Sequence, residues 1–247
     1  MLIPPKATLF ISDLHLSAKT PALTKLFLNF LENAKTARAL YILGDLFNTW
    51  LGEDIHATFQ TGIQKALKKL AGHGVSLFFM KGNRDFLISS SFLKEAQCHL
   101  LSDPTLISLY GKSTLLTHGD ILCTHDKTYQ RYRKIAQHPF SRTLFLSLPK
   151  SIRQKIGDGL RRKSHHYQRQ QATHILDVTP ATVKNLMQRY QVTQLIHGHV
   201  HKPCIHPLTL NNQTAQRVVL GDWQPNKGSL IISTPTLLSL TTFSPFS

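Results

Sequence analysis

The sequence predicts an α/β fold of two packed β-sheets flanked by helices (α/β/β/α), with a helical insertion at about 126–174. Two observations predict it. Apolar runs rich in β-forming residues, at 7–12, 40–43 and 75–80, alternate with helical periodicity in the first half. From about Cys98 onward short strands dominate, with a hairpin expected at 110–112. Two sheets with helices on their outer faces can bury the apolar faces of all these elements.

Three helices are expected outside the insertion. In the first, Thr20 can cap the N-terminus with Pro21 at the first helical position, and apolar residues between 23 and 31 share one face. A second helix is expected over about 58–70, before two glycines end it. A third is expected over about 180–190.

Length and composition favour one domain, covering 1–247, with anionic partners. A chain of 247 residues can bury one good core, and its formal net charge of +16 attracts phosphorylated ligands, nucleic acid or an acidic membrane face. Cys98, Cys123 and Cys204 form no CxxC pair, which favours a reducing cytosolic compartment. We see no signal peptide, and the apolar runs are too short to span a bilayer.

Five short blocks of metal-binding side chains carry the functional information. They are Asp13-Leu14-His15, Gly44-Asp45, Gly82-Asn83-Arg84-Asp85, His118-Gly119-Asp120 and His197-Gly198-His199. Such a set of carboxylates, imidazoles and an amide without thiolates suits Mn²⁺, Fe²⁺ or Zn²⁺. Two such ions about 3.5–4 Å apart can grip the attacking and the leaving oxygen of a phosphoryl displacement. The blocks therefore predict a dinuclear phosphoesterase.

The position of each block strengthens this interpretation. Each follows an apolar run that predicts a strand, and layered α/β proteins place their ligand crevice at the carboxyl ends of strands. A single Asp-x-His or Gly-Asp is more often an ordinary turn, but five blocks in order are hard to obtain by chance. His201 and His206 are interpreted as surface bystanders, because the chain holds 14 histidines.

In order and content the blocks resemble the calcineurin-like metallophosphoesterases, whose pattern is Asp-x-His, Gly-Asp, Gly-Asn-His-Asp/Glu, His and Gly-His-x-His. Arg84 stands where most of that family carries histidine. Within the family, the chain is most similar to the branch that hydrolyses UDP-2,3-diacylglucosamine in lipid A biosynthesis. The similarity extends over about residues 6–232 and is carried by 9–16, 41–47, 82–87, 118–124, 195–203 and 217–223.

The resemblance implies a metal site and a reaction. One ion would be held by Asp13, His15, Asp45 and His199, with Asp45 bridging to a second held by Asn83, His118 and His197. The ions are expected to be divalent, with Mn²⁺ favoured. A water activated by the metals would attack the α-phosphorus of UDP-2,3-diacylglucosamine, giving UMP and 2,3-diacylglucosamine 1-phosphate.

The resemblance also implies roles for individual side chains. Asp45, Asn83, Arg84 and His118 are the expected catalytic residues, with Arg84 stabilising charge on the diphosphate. Asp85 and Asp120 are expected to accept hydrogen bonds from the ligand histidines. The expected substrate-binding residues are Asn83, Arg84, Asp126, Ser164, Gln168, Gln171 and His197. Gln168 and Gln171 fall where better-known members carry Asn and Lys.

The interval 126–174 is the predicted lid. Its pattern is helical, and its apolar residues are surrounded by basic ones. Such a segment is typical of a helix lying in a membrane interface, although an amphipathic helical hairpin packed on the domain has the same pattern. The resemblance favours a lid that accepts acyl chains and sits on the anionic inner membrane. The protein would then be a peripheral monomer on the cytoplasmic face.

Two other functions remain open at this point. A calcineurin-like nuclease or nucleotide phosphodiesterase would also suit the basic charge, but Arg84 replaces the histidine that such enzymes use. We therefore expect no nucleic-acid partner. A non-enzymatic scaffold ranks last, because every ligand position of the family pattern is filled.

Overall fold

The computed structural model describes residues 3–170, 175 and 177–244. The strands are β1 (Thr8–Ile11), β2 (Ala39–Leu43), β3 (Ser76–Met80), β4 (Cys98–Leu101), β5 (Thr105–Leu109), β6 (Lys112–Leu116), β7 (Gln194–His197), β8 (Cys204–Leu210), β9 (Gln213–Val219), β10 (Gly228–Ser233) and β11 (Leu238–Phe243). The helices are α1 (Pro21–Asn33), α2 (Ala57–Ala71), α3 (Ser90–Glu95), α4 (Lys127–Ala136), α5 (Pro139–Ser147), α6 (Lys150–Gln170) and α7 (Pro180–Arg189). A 3₁₀ turn spans Asp120–Leu122.

Two mixed sheets form the centre of the fold. The first has the strand order β11-β10-β1-β2-β3-β4, with β1 to β4 parallel. The second has the order β5-β6-β7-β9-β8, with β6, β7 and β9 parallel. The predicted hairpin joins β5 to β6 through Tyr110 and Gly111. Because parallel strands point the same way, the carboxyl ends of β1, β2 and β3 meet at one edge.

Three apolar clusters confirm the predicted α/β/β/α layers. One packs α1, α2 and α3 against the outer face of the first sheet. A second fills the space between the sheets and includes Phe10, Leu43, Leu116 and Ile196. The third packs α7 on the outer face of the second sheet. Strands buried on both faces read as continuous apolar runs, which is why they could be located in the sequence.

The predicted helices are confirmed, with one local correction. The structure begins α1 at Pro21 after Thr20, but the Thr20 hydroxyl makes no capping hydrogen bond to the helix. It donates instead to the carbonyl of Ser17, 3.1 Å away. The Thr20 hydroxyl therefore stabilises the turn before the helix and does not cap the helix itself.

Helices α4, α5 and α6 occupy the predicted insertion, and few of their side chains are buried. Neither α4 nor α5 has a buried residue, although Phe145 packs against the edge of the first core cluster. In α6, Arg153 is only 5% exposed; its guanidinium contacts the Leu51 carbonyl and the Asp54 carboxylate. These contacts fix α6 to the loop that follows β2. No helix within the described part of the chain is long and apolar enough to cross a membrane.

Candidate metal centre

The site lies where strands of both sheets end. Asp13 follows β1, Asp45 follows β2, and the two turns are joined because Asp13 N–H donates to the Gly44 carbonyl over 3.1 Å. In the second sheet, Gly198 N–H donates to the His118 carbonyl over 2.9 Å. The turns after neighbouring strands are thus tied in pairs, and the packing of the two sheets brings the pairs together.

The backbone at this site is strained. Asp13, His15, Asp45, His199 and His201 all have φ between 51° and 70°. Residues other than glycine seldom adopt this left-handed region, and such conformations collect at functional sites where the surrounding fold enforces them. Each turn uses this conformation to aim a carboxylate or imidazole away from its own strand.

Two glycines allow the turns to approach one another. A Cβ at Gly44 would lie 2.6 Å from His118 Nδ1, and its φ of 90° disfavours other residues. A Cβ at Gly198 would overlap Ser12 Oγ and Asp13 Oδ2. Close packing of these turns therefore requires glycine at both positions.

Asp13, His15 and His201 form one group of donor atoms. Their ligand atoms all lie within 4.8 Å of one another. His201 Nε2 is 3.2 Å from Asp13 Oδ1 and 3.3 Å from His15 Nε2. His15 Nδ1 is buried and has no hydrogen-bond partner among the described residues. A buried polar atom without a partner is costly, and a cation among these atoms would satisfy it.

A second group consists of Asn83, His118 and His199. Asn83 Oδ1 is 3.0 Å from His118 Nε2 and 2.9 Å from His199 Nδ1. Asp45 lies between the two groups: its Oδ1 is 3.9 Å from His118 Nε2 and its Oδ2 is 3.9 Å from His15 Nδ1. The donor atoms of Asp13, Asp45 and His118 also lie within 4.8 Å of one another.

His197, which was predicted among the metal ligands, does not lie with either group of donor atoms. Its Nδ1 donates to the Gly198 carbonyl over 2.8 Å, and its Nε2 accepts from Arg217 Nη1 over 3.2 Å. Both ring nitrogens are therefore occupied. Burial, chiefly, together with the charge of Arg217, lowers the pKa of His197 to about 3.

His201, interpreted from the sequence as a bystander, lies in the Asp13 and His15 group instead. The signal was present: Gly198-His199-Val200-His201 fits the Gly-His-x-His pattern, whereas the prediction began one histidine too early. His199 was also expected beside Asp13 and His15, but its ring lies with Asn83 and His118. His206, on β8, is not in either group.

The roles expected for Asp85 and Asp120 also need correction. Asp85 accepts from the backbone N–H groups of Gly82 (2.8 Å) and Leu46 (2.8 Å), so it holds two turns together rather than a histidine ring. Asp120 accepts from Tyr129 Oη over 2.8 Å and from Arg133 Nε over 2.6 Å. The Nδ1 atom of His118 donates instead to the Leu43 carbonyl over 2.8 Å.

The electrostatics of the centre favour a bound cation. Burial, reinforced by Asp85 and Asp13, raises the pKa of Asp45 to about 7 although His118 opposes the shift. Burial lowers the pKa of His199 to about 4 and, against the charge of Asp13, that of His15 to about 3. The buried Asp45 carboxylate therefore lacks enough neighbouring positive charge, and the imidazoles of His15 and His199 are neutral. Divalent cations bind such a combination of donor groups.

His118 differs from the other histidines. Burial opposes its charged form, but the carboxylates of Asp45, Asp13 and Asp120 outweigh burial and raise its pKa to about 9. Without a cation, therefore, a proton on His118 supplies part of the positive charge that these buried carboxylates need.

Arg84 lies at the rim of the site. The backbone N–H of Arg84 donates to Asp45 Oδ1 over 2.8 Å, and its side-chain Nε is 3.7 Å from Asp45 Oδ2. The side chain is 30% exposed, so its remaining N–H groups are available to a ligand approaching from solvent.

The remaining residues predicted to bind substrate lie in or beside the helical insertion and not in the two groups of donor atoms. Asp126 is buried and caps α4, accepting from Tyr129 N–H and Tyr167 Oη, each over 2.8 Å. Ser164 is exposed on α6. Gln171 lies outside the described residues, as does the side chain of Gln168.

Comparison with known proteins assigns this arrangement to a family. Residues 7–203 match the calcineurin-like phosphoesterase family model, and the chain belongs to that family. Its relatives include a UDP-2,3-diacylglucosamine hydrolase of Pseudomonas aeruginosa, 47% identical over 88% of this chain and 91% of the relative. A protein of the same name from Photobacterium profundum is 46% identical over 92% of this chain and 93% of its own length.

Proposed function

We propose that this chain hydrolyses the diphosphate of UDP-2,3-diacylglucosamine at the α-phosphorus, releasing UMP and 2,3-diacylglucosamine 1-phosphate. The observation that carries the hydrolytic part is the convergence of carboxylates, imidazoles and one amide at the strand ends. The substrate follows from relatives of that name, which match about nine tenths of the chain at 46–47% identity.

The donor set fits two divalent cations. Asp13, His15 and His201 would hold one, and Asn83, His118 and His199 the other, with Asp45 between them. When bound, the cations would acidify a water and offset charge on the phosphoryl oxygens. We propose Mn²⁺, because nitrogen and oxygen donors without a thiolate suit a borderline-to-hard ion.

The protein's own groups would position the substrate around this centre. Arg84 presents a permanently charged, planar donor set at the rim, suited to the oxygens of a diphosphate. Its backbone N–H holds Asp45, and Asp85 holds the backbone of the same turn. This arrangement fixes the direction of the central carboxylate independently of the Arg84 side chain.

The lid would receive the lipid. We propose that the chain forms one domain with a helical insertion over 126–174, and that this insertion meets acyl chains and the cytoplasmic face of the inner membrane. The large apolar side chains exposed on α4, α5 and α6 are Tyr132, Ile135, Phe140, Leu144, Leu146, Ile152, Ile156 and Leu160. Exposed apolar groups on helices rich in Lys and Arg are typical of interfacial helices.

One assay tests the reaction directly. Purified protein loaded with Mn²⁺ should release UMP from UDP-2,3-diacylglucosamine, whereas Asp45→Ala should be folded and inactive. If the chain leaves the glycolipid intact, the proposed substrate is wrong. Metal-dependent cleavage of DNA or of nucleotide phosphodiesters, without UMP release from the glycolipid, would support the nuclease alternative.

A further inference from the structure

A cavity of about 270 Å³ lies beside the centre and contains none of the proposed metal ligands. It is lined by Lys81, Phe86, Leu100, Asp103, Arg133 and Arg142, among others. Its volume is close to the lower end of small-molecule sites, about 300–1,000 Å³.

The cavity carries unneutralised positive charge. Neither Lys81 nor Arg142 has an ion pair within the described part of the chain, and Arg142 Nε is buried without a hydrogen-bond partner. Arg133 is paired with Asp120. Asp103 is the acidic group in the lining; burial, and then the charge of Asp120, raise its pKa to about 6. Lys81 and Arg142 thus present charged N–H donors that form no ion pair in the described lining, so the cavity favours a ligand rich in oxygen acceptors.

The walls of the cavity connect directly to the proposed centre. Lys81 immediately precedes Gly82 and Asn83 in the turn after β3. Asp103 accepts from Thr117 Oγ1 over 2.5 Å, next to His118. Arg133 holds Asp120, two residues beyond His118. A ligand whose phosphate lies at the centre could therefore extend into this space.

We propose that the cavity binds the nucleotide half of the substrate. Lys81 and Arg142 supply N–H donors to the carbonyl oxygens of the base and the hydroxyl oxygens of the ribose, and Phe86 with Leu100 forms an apolar wall for the base. This inference rests on the proposed function. The acyl half is excluded, because an acyl chain here would bury cations without partners, while α5 and α6 expose an apolar surface elsewhere.

Calorimetric titration of the Mn²⁺-loaded protein with UMP tests the proposal. Arg142→Gln and Lys81→Gln should each weaken UMP binding by about tenfold, the loss expected for one charge-assisted hydrogen bond. Arg189→Gln, which removes an exposed cation on α7, should leave the Kd for UMP unchanged. Binding of glucosamine 1-phosphate, which has a phosphate but no base, should not respond to the cavity variants.

Controls separate this inference from misfolding. Removing one of two unpaired cations relieves repulsion, so neither cavity variant should lower the thermal unfolding midpoint. If the Gln variants were unstable, Arg142→Lys, which keeps the charge, should retain most UMP binding, and an equal loss in it would overturn the proposal. Equal weakening of glucosamine 1-phosphate binding would also overturn it.

A parallel hydrolysis assay separates the inference from the proposed function. If the wild type hydrolyses the glycolipid but the Kd for UMP is unchanged in the Arg142 and Lys81 variants, only the cavity assignment fails. If the wild type does not hydrolyse the glycolipid, the proposed function fails. In that case, UMP binding that depends on Arg142 would still support a nucleotide site in the cavity. UMP binding that does not depend on Arg142 would overturn the cavity assignment as well.

Discussion

The Nε2 atoms of His15 and His201 lie 3.3 Å apart, although 186 residues separate them in the chain. Both face Asp13, whose Oδ1 is 3.2 Å from His201 Nε2. The turn after β1 in the first sheet and the turn after β7 in the second sheet thus form a single group of donor atoms. This relationship changes the ligand set and leads to the first two predictions.

Replacing His201 with Ala should remove metal from one of two positions. We expect about one Mn²⁺ per chain instead of about two, measured by elemental analysis after loading and dialysis. Activity should fall by more than the roughly 10–100-fold loss typical of an outer partner of a ligand. His206→Ala, on β8 outside the cluster, is the matched control and should keep its metal. About two Mn²⁺ per chain in His201→Ala would show that His201 is not a metal ligand.

Replacing His197 with Ala should affect stability rather than metal content. Arg217 Nη1 would lose a buried acceptor, which costs about 1–3 kcal/mol of unfolding free energy. Urea denaturation would measure that loss, and elemental analysis should show wild-type metal content. Loss of metal comparable to that of His201→Ala would instead support the ligand set expected from the sequence.

Arg84 should tolerate substitution poorly. Arg84→Lys keeps the charge but loses the planar pair of donors, so kcat/KM for the glycolipid should fall by about tenfold or more, and further in Arg84→Ala. The hydrogen bond from residue 84 N–H to Asp45 should survive both changes, so metal content serves as the control. A fully active Arg84→His would show that the arginine has no special role.

Arg153 should be required to hold the lid against the domain. Arg153→Ala leaves the carbonyls of Leu51 and Leu148 without a buried donor, which costs about 1–3 kcal/mol locally and should speed proteolysis of α6 by about tenfold. Asp54→Asn should cost less than about 1 kcal/mol, because that carboxylate is half-exposed. Equal protease sensitivity of Arg153→Ala and wild type would show that the contact is dispensable.

The basic end of α6 should contribute to membrane binding. Arg161, Arg162 and Lys163 are all exposed, and each cation near an anionic surface contributes about 1 kcal/mol. Reversing all three to Glu should weaken sedimentation with anionic vesicles by more than about tenfold, and high salt should have the same effect on the wild type. Hydrolysis of a small soluble phosphodiester should be nearly unchanged.

One control variant and two contradicting outcomes complete that experiment. Lys184→Glu with Arg189→Glu, exposed on α7, should leave vesicle binding near the wild-type level. If the triple variant lost glycolipid and small-substrate activities together, the lid would be structural. If it lost neither activity nor vesicle binding, the basic cluster would be an ordinary solvated surface.

Much of the fold could be predicted because its signals are local. Strands covered on both faces appear as continuous apolar runs, and α1, α2 and α7 show one apolar face at helical spacing. A turn that follows a parallel strand must lie at the edge where its neighbours also end. Asp13, Asp45 and Asn83 could therefore be assigned to one site from sequence alone.

The sequence by itself determined the layered α/β plan, the five turns that carry candidate metal-binding side chains, and the basic, helical character of the insertion. Only the tertiary structure decided which histidine after β7 faces Asp13, and that Asp85 holds backbone rather than a ring. The physical reason is that spacing places a residue in a turn but does not set its side-chain direction. That direction depends on left-handed backbone angles and on how the two sheets pack, which are enforced by contacts between residues far apart in the chain.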